Sequence, residues 1–138
     1  MLNQLSVFIE NKPGRLFQLT TVLAENKIDL LTLSIADTKD YGILRAITRE
    51  NERAVEVLKE AGFTVSITKL IAVEVADEPG GLRDILAIFE REEMSIEYLY
   101  SYARTKEGTA IILMKVEDAE AAVRILQSCK VKLIDSLL

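Results

Sequence analysis

An internal repeat with an offset of 66 residues constrains this chain more than any other feature. The sequence contains two prolines, Pro13 and Pro79, and each is followed directly by glycine. Other matches at the same offset are Leu16 with Leu82, Leu33 with Leu99 and Gly42 with Gly108. Beyond Gly108 the matching offset becomes 68, which predicts two extra residues in the second copy between positions 108 and 115. A fixed period of this length predicts two similar units, at residues 1–69 and 70–138.

Each copy has a hydrophobic pattern that changes from strand to helix and back. Apolar residues alternate with polar ones in the strands and recur every three or four residues in the helices. The predicted elements of the first copy are strands at 5–9, 28–36, 41–49 and 64–68, with helices at 16–24 and 54–61. This order is that of a ferredoxin-like unit. The predicted fold class is therefore α+β: two βαββαβ units, each an antiparallel sheet with helices on one face, joined edge to edge.

Composition excludes several classes of function. Hydrophobic residues make up 49% and charged residues 28%, as in globular domains. The net charge of −5 gives no basic surface for nucleic acid or an anionic membrane, so neither is expected as a partner. Histidine is absent and Cys129 is the sole cysteine, so we expect no metal site, no cofactor and no catalytic residues. One cysteine and no recognisable signal peptide predict a cytoplasmic protein.

The segment between first strand and first helix carries the same motif in both copies. It reads Asn-Lys-Pro-Gly-Arg-Leu at 11–16 and Asp-Glu-Pro-Gly-Gly-Leu at 77–82. With Lys-Ile-Asp-Leu at 27–30 and Glu-Met-Ser-Ile at 93–96, the whole chain resembles two consecutive members of the ACT domain family. The resemblance implies a regulatory module that binds an amino acid or related metabolite at domain interfaces and controls a metabolic enzyme.

The two Pro-Gly turns are the candidate ligand sites. A helix N-terminus offers unpaired N–H groups to a carboxylate, and glycine lets a ligand approach the backbone closely. The resemblance adds a polar residue at the start of the second strand, Asp29 or Ser95. The candidate ligand-binding residues are Asn11, Pro13, Gly14, Arg15, Leu16, Asp29 and Leu30 in the first copy, and Asp77, Pro79, Gly80, Gly81, Leu82, Ser95 and Ile96 in the second. The alternative is that these residues only form the turns.

The second strand of each copy is the candidate interface. It lies at a sheet edge in this fold, and an uncharged edge is open to pairing with another strand. Alternation places three tyrosines on one face of the second copy's strand and three small residues on the matching face of the first. The candidate interface residues are Thr32, Ser34, Ala36, Tyr98, Tyr100 and Tyr102. Pairing of such edges predicts a homodimer, and the alternative role of the tyrosines is an aromatic wall for a ligand.

The sequence therefore predicts a non-enzymatic regulatory sensor for an amino acid. The alternative is a protein-interaction subunit of a metabolic enzyme complex that binds no small molecule.

Overall fold

Two compact units make up the chain in a computed structural model that describes residues 1–37, 40–105 and 107–137. The amino-terminal unit comprises residues 3–68, and the carboxy-terminal unit comprises residues 69–137 with residues 1–2. Ten elements follow one another in the order β1 α1 β2 β3 α2 β4 α3 β5 β6 α4. This order and the antiparallel strand pairing confirm the predicted α+β fold with ferredoxin-like repeats.

The amino-terminal unit contains the first five elements and the beginning of the sixth. Its elements are β1 (Leu2–Glu10), α1 (Arg15–Glu25), β2 (Leu30–Asp37), β3 (Tyr41–Thr48), α2 (Asn51–Glu60) and the first part of β4 (Thr64–Ala76). The strand order is β2-β3-β1-β4, and β3 pairs antiparallel with both β1 and β2. Among the described strands β2 has β3 as its single partner, so it is an edge strand as predicted.

The carboxy-terminal unit repeats this arrangement with a shorter last strand. It contains the second part of β4, α3 (Gly81–Arg91), β5 (Ile96–Arg104), β6 (Thr109–Val116) and α4 (Ala119–Ser128). The order is β4-β6-β5, so β5 is the edge strand that corresponds to β2. The expected fourth strand of this copy is reduced to one antiparallel bridge between Val73 and Leu133.

Each unit has its own hydrophobic core between the sheet and its two helices. In the amino-terminal unit Leu19 and Leu23 of α1 pack with Leu58 of α2 against alternate residues of the central strands. In the carboxy-terminal unit Phe89 of α3 and Leu126 of α4 occupy the corresponding layer. The helix-facing residues recur at the spacing that the sequence pattern predicted. Among the described helices none is long and apolar enough to span a lipid bilayer.

Strand pairing corrects the alignment of the two copies. Ile9 lies opposite Gly42, and its counterpart Val75 lies opposite Ala110. Gly42 therefore corresponds to Ala110 and not to Gly108, and the two extra residues of the second copy come before position 110. The alignment from sequence was wrong here because it matched a strand residue, Gly42 in β3, with Gly108 in the turn before β6.

The two Pro-Gly turns have the same backbone conformation before each first helix. Helix α1 begins at Arg15, after Gly14 with φ of 87°. Gly80 adopts φ of 91° before α3 in the same way. Each proline thus lies in the turn itself, and a left-handed glycine separates it from the helix. Glycine suits this position because other residues are strained at such φ values.

A buried carboxylate anchors the end of the chain to β4. The Glu74 side chain, 12% exposed, accepts hydrogen bonds from Lys132 Nζ at 2.7 Å and Thr109 Oγ1 at 2.9 Å. These hydrogen bonds, that from Lys132 foremost, hold the pKa of Glu74 below 4.5, and the Glu74 carboxylate raises the pKa of Lys132 above 10.5. The backbone N–H of Glu74 also donates to Lys132 O, at 3.0 Å.

We expect the Glu74→Gln variant to lose stability in a pH-dependent way. A carboxylate whose pKa is lowered by folding stabilises the native state above its unfolded pKa, near 4.5, and this contribution disappears as pH falls through the native pKa. The stability difference between the parent protein and Glu74→Gln should therefore be constant near neutral pH and shrink in acid. Urea unfolding between pH 3 and pH 8 measures it. Glu56→Gln, at an exposed position on α2, is the control. An equal difference at every pH would contradict the expectation.

Candidate functional site

A cavity of about 440 Å³ lies in the carboxy-terminal unit beside the second Pro-Gly turn. Apolar side chains of β4, α3, β5 and β6 form one part of its lining, and polar residues of the turn and of the end of β5 form the other. The apolar lining residues are Val75, Ala76, Leu82, Ala103, Ala110 and Ile112, and the polar ones are Asp77, Glu78, Ser101, Tyr102 and Arg104. This volume falls in the range of small-molecule sites in proteins, roughly 300–1,000 Å³.

Two opposite charges face each other at the rim of this cavity. Arg104 Nε lies 3.2 Å from Asp77 Oδ2. The aspartate side chain is 29% exposed and the arginine side chain is 82% exposed. The backbone N–H of Asp77 donates to Gly108 O at 2.9 Å, which fixes the turn that carries the carboxylate. The cavity thus has one partly buried negative group and one exposed positive group.

The N-terminus of α3 is adjacent to this cavity. The N-cap residue is Gly80, which has no side chain and so provides no capping hydrogen bond to the first turn. Leu82, in that first turn, is a lining residue. Helix N-termini carry a partial positive charge and unpaired N–H groups, and both favour an anion. That the turn receives a carboxylate stays a prediction.

Glycine is required at position 81 by the packing of the chain, whereas the sequence pattern predicted that it lets a ligand approach the backbone. A Cβ atom built at this position would lie 2.0 Å from the carbonyl oxygen of Ala76. The glycine thus allows the start of α3 to pass close to the end of β4. At Gly14 and Gly80 no described residue beyond the two chain neighbours comes within 4 Å of a built Cβ, and the positive φ is what requires glycine.

A β-bulge at Tyr102 distinguishes β5 from β2, the corresponding strand of the first copy. Ser101 lies opposite Ile112 and Ala103 lies opposite Ile111, so Tyr102 is one extra residue in the strand. Over the corresponding part of β2 the pairing with β3 is regular. Bulges redirect side chains near functional sites. Tyr102 also lines the cavity. Its place on the same face as Tyr98 and Tyr100 stays a prediction, and all three side chains are half-buried.

The amino-terminal unit has a smaller cavity at the equivalent place. Its volume is about 130 Å³, and Ile9, Leu16, Ile35 and Gly42 are among its lining residues. Asn11 and Lys12 stand where the second copy has Asp77 and Glu78. Lys12 Nζ lies 2.7 Å from Glu10 Oε2, and this contact lowers the pKa of Glu10. The small volume and the neutral Asn11 make this cavity a poorer match for a charged ligand.

The other predicted ligand residues of the first copy lie away from this cavity. The Arg15 guanidinium lies 4.5 Å from the centre of the Phe63 ring, and Nη1 donates to Gln18 Oε1 at 2.6 Å. Asp29 lies before the start of β2 and is paired with Arg49 at 3.0 Å. Leu30 packs against the core. Asn11 is near the opposite end of β2, and an eight-residue strand is about 23 Å long.

In the second copy the same separation holds. Ser95 and Met94 line a different cavity of about 270 Å³ with Glu93, Glu117 and Asp118. Ile96 packs against the core of its unit. The structure therefore brings Asp77 and Leu82 together in the larger cavity, with Pro79, Gly80 and Gly81 in and next to the turn, and leaves Ser95 and Ile96 at the other end of β5.

The predicted interface residues lie on the edge strands. Thr32, Ser34 and Ala36 of β2 lie opposite Ile47, Arg45 and Ile43 of β3. Tyr98 and Tyr100 of β5 lie opposite Lys115 and Leu113 of β6, and both are half-buried. The two tyrosines thus keep the alternation that the sequence predicted, up to the bulge.

Arg104 and Glu78 are the charged lining residues of the larger cavity that sequence reasoning missed. Arg104 is at the end of an edge strand, outside the repeated motif, and its counterpart by the first offset is a threonine. The one available signal was the pair of extra residues in the second copy, which indicated that the two sites differ.

Comparison with known proteins agrees with the repeat and the topology. The sequence profile described as ACT domain pair matches residues 1–136. The chain is 36% identical to protein BT0572 from Bacteroides thetaiotaomicron, with a TM-score of 0.89 over 96% of this chain and 90% of that one. No curated protein sequence matches it.

Two regulatory subunits of aspartate kinase share the fold at lower identity. The subunit from Thermus thermophilus, in its ligand-free form, is 18% identical, with a TM-score of 0.62 over 91% of this chain and 90% of that one. The subunit from Thermus flavus is 17% identical, with a TM-score of 0.62 over 93% and 92%.

Proposed function

Because this chain belongs to the family of ACT domain pairs, we propose that it is a regulatory sensor that binds an amino acid or a closely related metabolite. The cavity beside the turn at 77–80, which is larger than its equivalent in the first copy, is the proposed binding site. In this role the protein catalyses no reaction. Ligand binding favours one arrangement of the chain or its assembly, and a metabolic enzyme responds to that arrangement.

The cavity beside α3 is the observation that carries this proposal. It combines a volume of about 440 Å³, an apolar lining and two opposite charges at its rim. An α-amino acid has the same combination of features, namely an ammonium group, a carboxylate and a side chain. Small-molecule sites in proteins are typically apolar pockets with a few well-placed polar groups. The equivalent cavity of the first copy is smaller, and it has the neutral Asn11 at the position of Asp77.

A second copy of the chain is the proposed partner at the edge strands. Among the described strands β2 pairs only with β3 and β5 pairs only with β6, so each has an unpaired edge. Both are long and nearly uncharged, which favours pairing with another strand. We propose a homodimer in which Thr32, Ser34 and Ala36, or Tyr98 and Tyr100, contribute to such an interface. The cytoplasm is the proposed location.

A thermal-shift screen with the twenty amino acids tests the sensor proposal. An amino acid at about 100 times its dissociation constant adds about 2.7 kcal/mol to the free energy of unfolding. For a chain of this length that corresponds to a rise of about 8 °C in the midpoint. We expect one chemical class of amino acid to give such a shift, and titration calorimetry should then show saturable binding. No shift with any of the twenty would contradict the proposal.

An interaction subunit that binds no small molecule is the alternative, and one observation favours it. Helix α1 and strand β2 of the amino-terminal unit each expose two large apolar residues: Leu16 and Phe17 on α1, and Leu33 and Ile35 on β2. Phe17 is 76% exposed, and Leu16 and Ile35 line the same small cavity. Exposed apolar residues that form a patch are typical of protein–protein contacts. This alternative predicts a silent amino-acid screen together with a stable complex between the chain and an enzyme.

A further inference from the structure

We propose that Arg104 receives the carboxylate of the bound amino acid, and that the ligand opens the ion pair between Arg104 and Asp77. In this arrangement the ligand's ammonium group replaces the guanidinium beside Asp77, and its carboxylate replaces the aspartate beside Arg104. The inference rests on the proposed function, because it assigns the two charged ends of a ligand to two residues of the same cavity.

The geometry of the pair is the first support. Arg104 Nε and Asp77 Oδ2 are 3.2 Å apart, and both residues line the cavity. The ammonium and carboxylate of an α-amino acid are attached to one carbon atom, so the ligand also presents two opposite charges close together. An amino acid placed between the two residues would satisfy both of them. A guanidinium also matches a carboxylate with two parallel hydrogen bonds.

The difference in exposure between the two side chains is the second support. Arg104 is 82% exposed, so its attraction to Asp77 is weakened by water and the pair opens readily. Asp77 is 29% exposed and belongs to a turn held by the hydrogen bond between its N–H and Gly108 O. The aspartate therefore stays in place while the arginine moves. The free protein keeps both charges paired, and the ligand exchanges that weak contact for two contacts of its own.

The rest of the lining specifies the side chain of the ligand. Val75, Leu82 and Ile112 form an apolar wall, and Tyr102 adds an aromatic ring at the bulge. A charged side chain placed against this wall would lose hydration without gaining a partner. The site therefore takes an amino acid with an apolar or aromatic side chain.

Binding of matched ligands to charge-neutral variants tests the inference. The probes are L-phenylalanine with phenethylamine, which lacks the carboxylate, and 3-phenylpropanoate, which lacks the ammonium. A parallel set is L-leucine, 3-methylbutylamine and 4-methylpentanoate. We expect Arg104→Gln to weaken binding of the better amino acid and its acid analogue by about 10- to 100-fold and to leave the amine unchanged. Asp77→Asn should weaken the amino acid and the amine instead. Arg124→Gln, at an exposed position on α4 outside the cavity, should change nothing.

Each contrary outcome identifies which proposal fails. If the parent protein binds phenylalanine or leucine and Arg104→Gln binds it equally well, or loses the amine as strongly as the acid, the role of Arg104 is wrong. If the parent protein binds a charged amino acid and neither apolar one, the assignment of the apolar wall is wrong. If the parent protein binds none of the twenty amino acids, the sensor function itself fails, and the inference fails with it.

Discussion

Replacing Phe89 by alanine should lower the free energy of unfolding by about 4 kcal/mol. The side chain lies on the inner face of α3, is 3% exposed, and packs with Val73 and Met114 in the core of the carboxy-terminal unit. Truncation removes an aromatic ring from a close-packed interior and leaves a cavity that the surrounding strands fill only in part. Chemical denaturation followed by circular dichroism measures the change.

Phe17 provides the matched control for this substitution. It lies in α1, the helix of the first copy that corresponds to α3, but it is 76% exposed. Phe17→Ala therefore removes little buried surface, and its effect on the unfolding of the monomer should stay within about 0.5 kcal/mol. Comparable losses from the two variants would show that Phe89 is not part of a packed core.

Gly81→Ala should also be strongly destabilising, by about 3 kcal/mol. Gly81 is the first residue of α3, and a Cβ atom there would meet the Ala76 carbonyl oxygen at 2.0 Å. Backbone cannot move aside as a flexible side chain can, so the helix must shift away from β4. In an open helix position the same change would stabilise the protein by about 0.5–1 kcal/mol, so the expected sign is opposite to that of helix propensity.

Gly80→Ala distinguishes this overlap from ordinary backbone strain. Gly80 has φ of 91°, but no described residue beyond its two chain neighbours comes within 4 Å of a built Cβ. Alanine there should cost about 1–2 kcal/mol through the left-handed backbone alone. Thermal denaturation of both variants decides the matter. A smaller loss for Gly81→Ala than for Gly80→Ala would mean that α3 and β4 are not in close contact at this point.

The two copies have diverged in the residues around their turns rather than in their cores. Leu19 and Leu23 of one unit and Ile85 and Phe89 of the other occupy the same helical positions and are all buried. In contrast, the neutral Asn11 corresponds to Asp77, and the bulge at Tyr102 occurs in the second copy's edge strand. The larger cavity and the ion pair at its rim are both in the copy with the bulge. This divergence supports the proposal that one copy binds the ligand.

Much of the fold could be predicted because its determinants are local. The alternation before each Pro-Gly turn and the leucine spacing after it specify a strand and a helix within a few residues. Gly62 has φ of 91° directly after α2, as a residue that ends a helix should. The exception among the elements is the last strand of the second copy, which is a single bridge at Leu133 although the repeat predicted a full strand.

The candidate site was harder to predict because its members come from distant parts of the chain. Asp77 belongs to the repeated motif and was identified from sequence, whereas Arg104 is 27 positions later and lies outside that motif. Their contact depends on the register between β5 and β6. A single extra residue at Tyr102 changes that register, and periodicity alone gives no indication of where such a bulge falls.

By itself the sequence determined the duplication, the order of elements in each copy, the residues that form each core and the two turns where a ligand could bind. These follow from hydrophobic periodicity and from the backbone preferences of glycine and proline, which act over short stretches of chain. The tertiary structure alone decided that Gly81 faces a carbonyl oxygen and that Arg104 meets Asp77. It also decided that the cavity beside the second Pro-Gly turn is larger than the one beside the first. Each of these depends on how strands pair and pack across many residues, and small changes of register alter them all.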